Sequence, residues 1–388
     1  MKSYIIGILS LLFAVVTTGC HGTIHEHPDE GNASVTLTMN VKKSGPELYK
    51  VIEYVGNERH EYQAMDYELP NTRSNLAQTM AEFLAKNSID LDKWDLRLIW
   101  ELYDGSRDDI RNGDARLLQR DFSIVNYDVD QPSHTITFDA PSGRYTLLAW
   151  ADFVPKGSNE DFYYDTDDLN QLMSYLERRR NCTDNDKRDC FSQAYDFVIE
   201  DIDFEGQARH YETTLIRPQG RYVVLATDYE KYKTLTDIPV EENIVQVKYP
   251  SFVNVGYTVV EQRPNDGQPG LSYNHTPSTY DFDGNEMVCV ADDYSFVNGE
   301  VSYVNINMSV YNPFEALLST NKNIEIPLYA DRLTVVIGKF LATSTGSGGI
   351  NMDDGFDDEF VIPYAVDQNQ FGDRNNLITL NSATLLQI

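Results

Sequence analysis

Cys20 stands directly after Gly19 at the end of MKSYIIGILSLLFAVVTTGC, where Lys2 is followed by an apolar run from Tyr4 to Val16. One basic residue, an apolar stretch and small residues before a cysteine are the layout of a bacterial export signal. The Gly-Cys pair has the form of a lipobox, in which the signal is cut ahead of the cysteine and the cysteine takes lipid. Thr17 departs from the leucine usual three residues before that cysteine. The apolar run stops short of the ~20 residues that a membrane-spanning helix needs. Acyl chains on Cys20 would anchor the protein stably, each buried methylene adding about 0.8 kcal/mol. Residues 1–19 are therefore predicted to be a signal peptide and residues 20–33 a lipidated tether.

Three further sets of residues have types and spacings that could do chemistry. His21, His25 and His27 offer imidazoles for a metal, but HEH lacks the one-turn ligand spacing of HExxH, and the tether around it has no apolar periodicity to order it. NMDDGFDDEF supplies Asp353, Asp354, Asp357, Asp358 and Glu359, enough oxygens for calcium although the spacing is not that of an EF-hand. These are weak calcium candidates, and a solvated acidic turn is the plainer reading. Cys182 and Cys190 are close enough in an exported chain for a small-loop disulfide, whereas Cys289 in MVCVA suits a buried apolar position.

No GxSxG, HExxH, P-loop or closely spaced zinc cysteine pair occurs in the sequence, so no catalytic residue, no cofactor and no enzymatic activity are expected. A net charge of −30 over 388 residues excludes a basic nucleic-acid surface and polybasic docking on anionic lipid. Surface aromatics such as Trp94 and Trp100 could serve a glycan- or ligand-binding lipoprotein as stacking platforms, although DLRLIWELY makes core packing the better role for Trp100.

The elements that must position these residues are mostly strands. VTLTMNV puts Val35, Leu37, Met39 and Val41 on one face. SGRYTLLAWADF alternates Tyr145, Leu147, Ala149, Ala151 and Phe153 with polar and larger residues, and QGRYVVLATDY repeats its Gly-Arg-Tyr opening and Leu-Ala pair. ITF at Ile136 to Phe138, followed by a Pro-Ser-Gly turn, predicts a hairpin into the first of these strands. In VSYVNINMSVY, Val304, Ile306, Met308 and Val310 form a clean apolar face. Helical spacing occurs only in Ser74 to Asn87 and in Thr166 to Arg180. The expected fold is mostly β, with two antiparallel β-sandwich domains at residues 34–240 and 241–388 carrying short helical insertions.

WADF with FYYDTDDL, NDKRDCF, RPQGRYVVLATDY, KYPSFVNV and IPLYADRLTVVIGKFLATSTGSGGINMDDGFDDEF occur in this order from Asp95 to about Phe360. Their order and spacing resemble a fimbrillin-like family of Bacteroidales surface lipoproteins, similar to the pilins of type V pili. Cys190 stands where members usually have alanine. The resemblance implies two transthyretin-like β-sandwiches, close sheet packing at Ala149 and Ala226, and strands ended by Asp152 and Asp228. It also implies assembly rather than chemistry: a first strand removed by proteolysis after a basic residue, and a groove that then accepts a strand from another subunit. Val35 to Val41 would be the removable strand, and Lys42, Lys43, Lys50 and Arg59 are the candidate cut sites. Leu377 to Ile388, terminal and strand-like, is the candidate donor. The implied partners are other pilus subunits or copies of the same chain, and the implied location is the outer membrane, reached through lipid on Cys20.

Overall fold

Strand β1 (Ala33–Val41) follows its sequence pattern closely, with Ala33, Val35, Leu37 and Met39 fully buried while Ser34 is exposed and Thr36 and Thr38 are half-buried. The computed structural model describes residues 31–68, 76, 78, 80, 81, 89–174, 188–282 and 284–342. After β1 come β2 (Glu47–Val55), β3 (Glu58–Gln63), β4 (Trp94–Asp104), β5 (Arg116–Val125), β6 (Ser133–Ala140) and β7 (Gly143–Pro155). The middle of the chain forms β8 (Tyr164–Asp165), β9 (Leu172–Ser174), β10 (Cys190–Ile199), β11 (Gln207–Leu215), β12 (Gln219–Ala226), β13 (Ile244–Lys248) and β14 (Val253–Thr258). The last strands are β15 (Arg263–Gln268), β16 (Ser272–His275), β17 (Ser278–Phe282), β18 (Asn285–Phe296), β19 (Ser302–Tyr311), β20 (Leu317–Leu328) and β21 (Arg332–Gly338). Among the described residues, the short α-helices α1 (Arg107–Asn112) and α2 (Tyr229–Leu235) interrupt them. Helix α1 starts on a Ser106–Asp109 capping box and stops at Gly113 in the left-handed conformation.

The fold is mostly β, as the sequence predicts, and two sandwiches account for most of it. In the first, a sheet ordered β11-β1-β6 faces a sheet ordered β10-β7-β4-β5. Tyr145 of β7 stacks on Phe197 of β10 at 5.6 Å, and Phe197 meets Tyr211 of β11 at 4.7 Å, which joins the two layers. In the second, a six-stranded sheet ordered β17-β18-β12-β21-β2-β3 faces one ordered β16-β13-β19-β20. Its core sets Ile52, Val224, Val290 and Val336 against Val245, Val247, Ile306 and Ile324. A small sheet, β15-β14-β9-β8, completes the set. Three pairings are parallel, β1 with β11, β12 with β21 and β2 with β21, so the sheets are mixed rather than wholly antiparallel.

Several expectations change in detail. Ile136 to Phe138 does not form a hairpin with β7, because β6 pairs with β1 and β7 with β4 and β10. The turn between them crosses from one layer to the other, and Tyr145 Oη donates to the Pro141 carbonyl at 2.9 Å across it. Strand β7 is buried on both faces rather than one, since Trp150 on its second face packs against Tyr164, Tyr257 and Phe296. Thr166 to Arg180 is not a helix over its described part. Leu172–Ser174 is strand β9, paired with β14, and acidic side chains hold turns ahead of it. Asp161 accepts from Thr166 N and Oγ1, both at 2.7 Å, and Asp168 accepts from Asn170 N at 2.8 Å. Residues 175–180 lie outside the described residues.

Of Ser74 to Asn87, the described residues Leu76, Gln78, Met80 and Ala81 are helical. Leu76 and Met80, one turn apart, are buried against Val51, Val223 and Val335 on the outer face of the six-stranded sheet. Sheet membership does not follow chain order. β2, β3 and β12, all ahead of residue 240, share that sheet with β17, β18 and β21, so a division at residues 240 and 241 runs through a sheet rather than between sheets.

Candidate functional site

Strand β1 lies in the middle of its sheet. It runs parallel to β11 from Ala33 opposite Gln207 to Val41 opposite Leu215, and antiparallel to β6 from Ala33 opposite Ala140 to Asn40 opposite Ser133. Val35, Leu37, Met39 and Val41 enter a core shared with Leu96, Leu98, Leu147 and Phe153 of the facing layer. Burial of side chains of this size contributes about 1.5–3 kcal/mol each. The ladder ends where the Val41 amide donates to the Pro132 carbonyl at 2.8 Å and the Lys42 amide to the Leu215 carbonyl at 3.1 Å.

Beyond that point the chain leaves the first sandwich and enters β2 in the second. Ser44 and Gly45 are exposed in this link. A buried ion cluster holds it. Arg217 donates to Asp189 through Nε at 2.7 Å and Nη2 at 2.8 Å, to Asp331 through Nη1 at 3.3 Å, and to the Ser44 carbonyl. Its guanidinium lies 4.5 Å over the Phe191 ring. Burial works against the Arg217 charge, but the Asp189 carboxylate outweighs it and the net pKa is raised. Lys42 pairs with the second oxygen of Asp331.

The four basic candidates separate on this geometry. Lys43 Nζ donates to the Val129 carbonyl at 3.0 Å from the link between β1 and β2. Lys42 also lies past the end of β1, but its side chain is bound to Asp331 and its amide to Leu215. Lys50 sits in β2 between β21 and β3 and pairs with Glu61 at 2.8 Å. Arg59 sits in β3 and reaches the same carboxylate at 3.3 Å. A protease needs a segment outside the strand ladders, and of the four candidates only Lys42 and Lys43 stand in one, where Tyr127 Oη donates to the Lys43 carbonyl at 3.3 Å and Arg217 to that of Ser44.

Other predicted residues are dispersed. Cys190 is a buried free cysteine whose pKa is pushed well up by burial, and Cys182 lies outside the described residues. Cys289 is likewise buried. Cys20, the tether histidines His21, His25 and His27, the acidic candidates Asp353, Asp354, Asp357 and Asp358, and Leu377 to Ile388 also lie outside them. Trp94 and Trp100 are 8% and 2% exposed, so neither is a surface platform; Trp94 stacks on Tyr163 at 5.7 Å. Asp152 does not end β7, which continues to Pro155, because Arg97 holds its carboxylate in the buried strand at 2.8 and 3.0 Å. Burial nevertheless pushes the Asp152 pKa up, against the pull of Arg97. Asp228 stands just past β12 and accepts from the amides of Phe340, Leu341 and Ala342 at 2.8–3.1 Å, fixing the chain after β21. Arg217, Asp189 and Asp331 lie in the quoted segments RPQGRYVVLATDY, NDKRDCF and IPLYADRLTVV, yet no motif singles them out as partners. The available signal is one arginine, Arg217, between Ile216 and Pro218 directly ahead of a fully buried strand.

The chain belongs to a family of unknown function (DUF6562), whose model matches residues 30–381. No curated protein matches it. Among solved structures it is similar to a candidate adhesin from Bacteroides ovatus, at 12% identity and a TM-score of 0.40, over 82% of this chain and 92% of that one. It is similar also to the fimbrial anchor protein Mfa2 from Porphyromonas gingivalis, at 13% identity and a TM-score of 0.33, over 74% and 82% of the two chains. A fimbrial assembly protein from Parabacteroides distasonis matches at 8% identity and a TM-score of 0.33, over 81% and 93%. Likeness at this level carries no inference about what the chain binds.

Proposed function

We propose that the protein is a non-enzymatic surface lipoprotein, held at the outer membrane by lipid on Cys20, that acts as a fimbrillin-like subunit or accessory of a type V pilus and assembles by strand donation. The observation that supports this reading is β1: a strand central in its sheet and apolar on its buried face, followed at once by a basic link that belongs to no strand. Loss of a central strand would leave the facing backbone groups of both β6 and β11 unpaired and four apolar pockets open. Another strand of alternating pattern would restore the hydrogen bonds through its backbone and gain specificity through the pockets. Leu377 to Ile388 is the proposed donor.

Limited digestion with a protease specific for lysine or arginine tests this. Cleavage is expected first at Lys43 and Lys42, ahead of Lys50 and Arg59, and should yield a ladder of oligomers. Deleting Leu377 to Ile388 should abolish the ladder and leave a folded monomer. A protein cut in the link that remains strictly monomeric would overturn self-assembly. Mass spectrometry of the native first residue then narrows the role: a start beyond Val41 means a processed stalk or tip subunit, and lipidated Cys20 means an anchor or a plain lipoprotein.

A further inference from the structure

A second surface lies away from the β1 groove, and the argument for it does not depend on strand donation. Two cavities, of about 770 and 260 Å³, adjoin through the shared residues Phe252, Asn254 and Asn298. They sit where β14 and β15 meet the ends of β18 and β19. Two aromatic rings are presented there to solvent, Phe252 at 70% exposure and Tyr303 at 58%. Phe252 lines both cavities and Tyr303 the smaller one, so the depression carries two large aromatics with exposed apolar faces.

The lining is rich in side-chain amides. Asn254 spends its Nδ2 on the Phe296 carbonyl at 2.8 Å, and Asn265 spends its own on the Asn170 carbonyl at 3.2 Å, which leaves both amide oxygens as acceptors. The side-chain amides of Gln171 and Asn298 make no hydrogen bond among the described residues and offer both donors and acceptors. The charged side chains in the lining balance in number, Arg111 and Arg263 against Glu261 and Asp266, and Arg263 pairs directly with Glu261.

An amide presents an acceptor and a donor side by side, the pattern that matches hydroxyl groups, each of which both donates and accepts. An aromatic face suits the C–H face of a sugar ring. With lining charges balanced in number and the depression divided into two adjoining parts, we infer that this groove binds an uncharged oligosaccharide, with Phe252 and Tyr303 stacking on separate sugar rings and the amides of Gln171, Asn254, Asn265 and Asn298 reading hydroxyls along it.

The test is an array of neutral plant, fungal and mucin-type oligosaccharides, with oligogalacturonate as the acidic comparison, followed by calorimetric titration of the best neutral chain. Binding to a neutral oligosaccharide is expected. Phe252→Ala and Tyr303→Ala should each weaken it about tenfold, as loss of a stacked ring does. Asn298→Ala and Gln171→Ala should weaken it by about threefold each, as loss of a water-exchanged hydrogen bond does. Both rings are exposed, so the circular dichroism of these variants should match that of the parent protein. Failure of every neutral oligosaccharide to bind, tighter binding of oligogalacturonate, or binding unchanged in both aromatic variants would each overturn the assignment.

Discussion

His275, at the end of β16, shows how a single side chain ties stability to pH. Burial lowers its pKa from the usual 6.5, and the nearby Asp292 carboxylate only partly opposes that shift. Its Nε2 lies 3.7 Å from Cys289 Sγ. The unfolded chain therefore takes up this proton before the folded one does. The contribution of neutral His275 is whole above about pH 6.5 and is lost as pH falls toward the lower folded value. His134 is shifted in the same direction, again first by burial. Urea unfolding of His275→Gln should accordingly show a smaller loss of midpoint between about pH 7 and pH 5 than the parent protein shows. An unchanged slope would mean that the imidazole titrates alike in both states. Residue types alone say little here, because a histidine in SYNH has no sequence mark of being enclosed, just as Trp94 carried none that distinguished a buried ring from an exposed one.

At the scale of single elements, the period-two alternation of β1 and β19 was fully legible, since one face of each meets a core and the other does not. Strand β7 reads as one-faced in sequence, yet its second face meets Tyr257 and Phe296, which lie more than a hundred residues on, and local pattern cannot carry that information. Thr166 to Ser174 has leucines at helical spacing, but Asp168 captures the Asn170 amide and Leu172–Ser174 pairs with β14 instead. The repeated Gly-Arg-Tyr opening did mark two central strands, β7 and β12. In the second, a Cβ on Gly220 would lie 2.8 Å from the Tyr329 carbonyl oxygen and 3.0 Å from Leu328 Cβ. Backbone cannot yield as a long side chain can, so Gly220→Ala should destabilise the protein by about 1–3 kcal/mol, measured by urea unfolding. A neutral result would show that the β20–β21 turn moves aside.

For the whole molecule, the joint between the sandwiches is the least legible part, because it is made by Asp189, Arg217, Asp331 and the Ser44 carbonyl from four distant stretches of chain. Removing one side of such a buried pair leaves the other charge uncompensated. Arg217→Met should therefore cost about 3–5 kcal/mol, whereas the paired change with Asp189→Leu and Asp331→Asn should recover much of it. Calorimetric melting of the single and triple variants checks this, and equal losses in both would assign the cost to packing on Phe191 rather than to charge. The fold class was legible from strand patterning, but the interleaving of early and late strands in one sheet was not, since parallel partners need no nearby turn. That interleaving also fixes when the protein can finish folding. β2 lies beside β21, and Arg332 reaches Glu47 across a sequence separation of 285 residues. As the chain is synthesised, its second strand can pair locally with β3 but waits for the last described strand on its other side, and the cost of closing so long a loop is met before the β2–β21 contacts are gained. Such a chain belongs with the slow, non-local folders of the millisecond-to-second class, and it travels a long way from the ribosome before its two halves can lock together.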